Sequence, residues 1–65
     1  MSYTVVKIVP GKIPRLIGPY RKYNEGVNLL IQEKYNPNYE GPKDEHGPRE
    51  FIKGEKKAYV CFSDS

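Results

Sequence analysis

A chain of 65 residues and 7.5 kDa holds one small domain, because domains run to roughly 100–200 residues, and this excludes a multidomain enzyme with a deep cleft. Eleven Lys and Arg against eight Asp and Glu give a formal charge of +3, and the single cysteine excludes an internal disulfide and a cysteine-based zinc site. No apolar run nears the ~18–20 residues that span a bilayer, and the start MSYTVVKIVPGK has no secretory h-region, so a cytoplasmic protein with no membrane association is expected.

Tyr3 to Val9 (YTVVKIV) is rich in β-branched and aromatic residues and predicts a strand. With a period of two, Thr4, Val6 and Ile8 share one face and Tyr3, Val5, Lys7 and Val9 the other, so neither face is fully polar. Pro10-Gly11 suits the centre of a type II turn. The chain then returns over Lys12 to Gly18 (KIPRLIG), and Pro14, which has no N–H, places this second strand at a sheet edge.

Gly18-Pro19 breaks the strand. Tyr20 to Tyr35 takes up helical spacing, with Tyr23, Val27, Leu30 and Ile31 on one stripe. Asn24 is read as the N-cap, with Glu25 in the first turn. Gly26, lacking a Cβ, would let the helix approach the sheet closely. Leu29 falls off the stripe and is expected at the surface or in an interface. Pro37 ends the helix near Tyr35.

Residues 36–48 (NPNYEGPKDEHGP) hold three Pro and two Gly without periodicity and read as a long loop, the most mobile internal segment, with Tyr39 its one apolar anchor. Arg49 to Lys53 and Lys57 to Phe62 predict two more strands reversed at Gly54-Glu55, and residues 63–65 are expected to fray. The fold class is therefore α+β in the order β-β-α-loop-β-β, one helix on an antiparallel sheet. Its expected core is Val6, Ile8, Val27, Leu30, Ile31, Val60 and Phe62.

Catalytic and metal chemistry find little footing. His46 in Asp44-Glu45-His46 has no second histidine to complete a site, and consecutive residues do not converge on one ion. Cys61 lies within an apolar strand, where a thiol behaves as a small inert hydrophobe, and only His46 could serve it as a base. The glycines match no phosphate-binding pattern. No catalytic residue, metal or cofactor is assigned.

The charge layout is more informative than its total. Residues 1–24 carry Lys7, Lys12, Arg15, Arg21 and Lys22 with no acid, +5, while residues 25–65 carry six bases and eight acids, −2. Tyr20-Arg21-Lys22-Tyr23 interleaves cations with aromatics at a helix start, an arrangement able to pair phosphates and stack bases. Ordinary solvated charges with core tyrosines explain it equally well. The strand-turn-strand followed by GPYRKYNEG is similar to the openings of many small accessory proteins of phages and bacteria, and this resemblance implies a modulator that acts by binding. The expectation is a non-enzymatic module that binds a protein partner, with Lys12, Arg15, Tyr20, Arg21, Lys22, Leu29 and Tyr39 as candidate contacts and room for a homodimer. The alternative is a nucleic-acid binder using Lys7, Lys12, Arg15, Arg21 and Lys22 with Tyr20; on the first reading, nucleic acid associates only weakly and without sequence preference.

Overall fold

The computed structural model describes residues 2–63. In chain order these form β1 (Ser2–Ile8), β2 (Arg15–Tyr20), α1 (Tyr23–Gln32), β3 (Asn36–Pro37), β4 (Lys43–Asp44), β5 (Gly47–Pro48), β6 (Glu50–Lys53) and β7 (Lys56–Ser63). Five strands make an antiparallel sheet in the order β2-β1-β7-β6-β3, and β4 with β5 forms a separate small hairpin. The α+β class is as expected, with α1 packed on one face of the sheet.

The first reversal follows its chemistry. The Lys12 N–H donates to the Val9 carbonyl at 3.0 Å and Gly11 takes φ +76°, the left-handed conformation that position demands and glycine accepts without strain. β2 lies at the sheet edge as Pro14 requires, but it begins after that proline, at Arg15, and continues through Gly18-Pro19 to Tyr20. An edge strand tolerates a missing N–H on its open side, so Pro19 does not end it. The Gly18-Pro19 bond is cis, and the β1–β2 register shifts between Tyr3 and Val5.

The helix starts two residues earlier than Asn24 would set it. Lys22 is the N-cap, and Glu25 reaches back to accept its N–H at 2.9 Å, the half of a capping box that needs only an acid at the third helical position. At the other end Lys34 takes φ +71°, its N–H bonds the Ile31 carbonyl at 3.0 Å, and the Tyr35 N–H bonds the Leu30 carbonyl at 2.9 Å. This is a Schellman stop with Leu30 and Tyr35 as its apolar pair, so the helix closes at Gln32 before Pro37 acts on it.

The core differs from expectation in its sheet face. Tyr3, Val5, Tyr23, Leu30, Tyr35, Phe51, Ala58 and Val60 are buried, with Ile17, Tyr20 and Val27 packed against them. Leu30, Val60 and Val27 stand as expected. Val6 is half-buried, while Ile8 (39% exposed), Ile31 (46%) and Phe62 (48%) lie at the surface. For Val6 and Ile8 the physical reason is that β1 offers apolar residues on both faces, and the helix covers the Tyr3–Val5 face, where Val5 pairs with Val60; Phe62 is on that same face, opposite Tyr3 near the end of β7. Gly26 takes the stripe position given to Ile31. A Cβ there would stand 3.0 Å from Val5 Cγ2 and 3.6 Å from Tyr20 Cδ2, so the glycine does permit close approach.

Residues 36–48 are not one structureless loop. β3 extends the sheet beside β6, the Asn38 N–H bonds the Glu50 carbonyl at 2.9 Å, and the Arg49 N–H bonds the Pro42 carbonyl at 2.9 Å. Pairs this short carry no period for a sequence to display. Ser63 is the last residue of β7, opposite Ser2; the fraying expected at 64 and 65 lies outside the described residues.

Candidate functional site

Two features of the fold offer exposed side chains for binding. The first is the outer edge of β2, which has no strand beyond it among the described residues. Along and before this edge Ile13 is 86% exposed and Leu16 72%, with Lys12 and Arg15 exposed beside them. The Pro10-Gly11 turn places Lys12 and Ile13 next to the strand, and the β1 ladder holds Arg15 opposite Lys7 and Leu16 opposite Val6.

The second feature is a pair of adjoining concavities. One, of about 350 Å³, is lined by Tyr3, Arg21, Lys22, Tyr23, Asn24 and His46; the other, of about 500 Å³, by Tyr3, Asp44, Glu45, His46, Arg49 and Phe62. Tyr3 and His46 belong to both. The His46 ring stacks on Tyr23 at 5.6 Å between centroids and meets Tyr3 edge-on at 5.9 Å, while Tyr3 meets Phe62 edge-on at 5.3 Å. Such contacts between aromatic edges and faces fix ring positions beyond their area burial.

The β4–β5 hairpin delivers His46 to this place. The Asp44 side chain accepts the His46 N–H at 2.8 Å, an Asx turn that tightens the bend, and Gly47 takes φ +139° close under the Tyr23 hydroxyl. That hydroxyl donates to the Pro48 carbonyl. Burial, reinforced by the charge of Asp44 and by Tyr39, pushes the Tyr23 phenol above its ordinary range, so the group stays a neutral donor and pins the hairpin to the helix.

The candidate contacts separate into three groups. Lys12, Arg15, Arg21 and Lys22 are exposed along β2 and the link to α1. Tyr20 is half-buried against the core, so its ring is spent on packing. Leu29, half-buried on the helix, and Tyr39, exposed after β3, line neither concavity. Lys7 also leaves the basic set: its ammonium pairs with the Glu33 carboxylate and sits 5.8 Å over the Tyr35 ring. Tyr3, Arg49 and Phe62 are not among the candidate contacts, and His46 is weighed in the sequence only as a metal ligand or base, because strand register and hairpin folding bring the four together. The Asp44-x-His46-Gly47 turn chemistry was the one local signal for any of them.

Cys61 stands on the opposite face of the sheet from Tyr3 and His46, one residue from Val60 and Phe62 on β7, so thiol and imidazole do not meet. Among the described residues no three His, Cys, Asp or Glu side chains cluster as metal ligands, and no helix is long and apolar enough to cross a membrane. Comparison with protein-family models, with curated proteins and with solved structures found no match.

Proposed function

We propose that this protein is a non-enzymatic interaction module that takes an extended, acidic segment of a protein partner as an added strand along β2. The observation that supports it is the unpaired β2 edge with exposed Ile13 and Leu16 and the four exposed cations Lys12, Arg15, Arg21 and Lys22 around it. An open edge supplies main-chain hydrogen bonds to an incoming strand, and side chains flanking it choose the partner. The cations favour acidic residues and raise the encounter rate. The nucleic-acid reading is weaker on two counts: Lys7 is paired with Glu33, and Tyr20 packs inward where a stacking platform needs a free ring face.

Affinity capture from native lysate, with and without nuclease, tests the proposal when the chain is compared with its Leu16→Asp and Arg15→Glu variants. A protein retained by the parent after nuclease treatment and lost from both variants is the expected result. Retention that disappears with nuclease favours nucleic acid, and retention equal in parent and variants removes β2 from the interface.

A further inference from the structure

We propose that the sheet face turned away from α1 is a self-association surface, and that its occupant is a second copy of this chain related by a two-fold axis. The helix lies over the Tyr3–Val5–Val60–Phe51 face. The opposite face presents Val6, Ile8, Leu16, Ile52, Tyr59 and Cys61, all half-buried or exposed. Strand register makes this set contiguous. Val6 lies between Leu16 and Tyr59 in one row, and Lys57 lies between Ile8 and Ile52 in the next. Apolar residues gathered over one broad surface mark an interaction site more often than a solvated face.

Charge selects a second copy as the occupant. Among the described residues, by strand parity, the face carries one cation, Lys57, and one anion, Glu50, on neighbouring strands. The basic excess lies elsewhere: Lys7 and Arg15 are paired on the helix-side face, and Lys12, Arg21 and Lys22 lie in the links between elements. A face of zero net charge meets its own copy without like-charge repulsion. An isologous contact also repeats each pairing twice, Lys57 to Glu50 and Glu50 to Lys57.

Size points the same way. Five strands of two to eight residues, at ~3.3 Å rise per residue and ~4.8 Å spacing, outline roughly 430 Å², which side-chain relief enlarges toward the ~800 Å² per partner of a stable interface. Two such faces packed on each other form a sandwich ~10 Å thick between backbones. A chain with only a thin core gains a second one by this route, as small domains commonly do through oligomerisation.

Sedimentation equilibrium on the full chain from about 5 to about 500 µM tests this, with Ile52→Lys, Lys57→Glu and Arg15→Glu variants whose folding is checked by circular dichroism. Neither Ile52 nor Lys57 lies on β2, so their effects are separable from partner binding at that edge, on which this inference does not rest. The expected result is a monomer–dimer equilibrium that Ile52→Lys and Lys57→Glu each weaken at least tenfold and that Arg15→Glu leaves unchanged. Because Lys57 is exposed, Lys57→Glu keeps the test valid even if Ile52→Lys perturbs the fold. A monomer at the highest concentration, or a dimer indifferent to Ile52→Lys and Lys57→Glu, overturns the proposal. A dimer lost only in Arg15→Glu overturns it in favour of β2 edge pairing.

Discussion

Gly26 and Glu50 show how single positions carry the design of this fold. In an exposed helix Gly→Ala stabilises by about 1 kcal/mol. At position 26, however, the new Cβ would stand 3.0 Å from Val5 Cγ2, and Val5 is fully buried beside Val60, so any shift must be absorbed within the core. Overpacking of this kind costs about 1–3 kcal/mol and outweighs the propensity gain. Gly26→Ala is therefore expected to lower the denaturant midpoint, and an unchanged or raised midpoint would show that the helix can lift off the sheet freely. At Glu50 the Tyr59 hydroxyl donates to Oε2 at 2.6 Å and the Asn38 amide to Oε1 at 2.6 Å. These bonds, chiefly the one from Tyr59, hold the carboxyl below its ordinary range, and the same bond holds the Tyr59 phenol above its own. A depressed carboxyl contributes stability that is present above its unfolded pKa and lost as pH falls through the folded value. Tyr59→Phe should raise the Glu50 titration midpoint in an NMR titration and shrink the loss of stability on acidification. An unmoved Glu50 midpoint would place the cause elsewhere.

At the scale of elements, the sequence was legible where a residue type has one structural outlet. Pro10-Gly11 could only turn, Pro14 could only stand at or outside an edge, and Leu30 held the centre of the stripe. It was illegible where two outlets were chemically equal. β1 reads apolar on both faces, and nothing local says that the helix covers Tyr3 and Val5 while Val6 and Ile8 stay open. That choice depends on register with β7, fixed by residues more than fifty positions away. The short pairs β3, β4 and β5 lie below the length at which periodicity exists. The concavity around Tyr3 and His46 was hidden for the same reason, since each wall comes from a different part of the chain. The helix stripe gives a direct check. Leu30, fully buried, should cost about 2–5 kcal/mol when cut to alanine. Ile31, 46% exposed, should cost less than about 1 kcal/mol. Thermal denaturation of Leu30→Ala and Ile31→Ala should separate them clearly, and comparable losses would return Ile31 to the core.

Across the whole molecule, a formal charge of +3 is too small to create a strong field, so what matters is which cations are free to act. The N-terminal run of five becomes four once Lys7 is held by Glu33 and covered by Tyr35. Lys12, Arg15, Arg21 and Lys22 remain exposed on β2 and the links that flank it. If all four touched duplex phosphates, counterion release would set a log–log salt slope no steeper than about −3.6. That corresponds to roughly a hundredfold loss of affinity between about 50 and 200 mM salt. Binding to random-sequence DNA or RNA is therefore expected to be loose, detectable at low salt and absent in gel-shift assays near physiological salt. Arg21→Ala with Lys22→Ala should flatten the slope by about two units, while Lys7→Ala should leave it unchanged because that ammonium is already neutralised within the fold. A steeper slope, a contribution from Lys7, or a sequence-selective submicromolar complex at physiological salt would show that the basic surface extends further than the β2 edge. The partner would then be a nucleic acid rather than an acidic strand of protein.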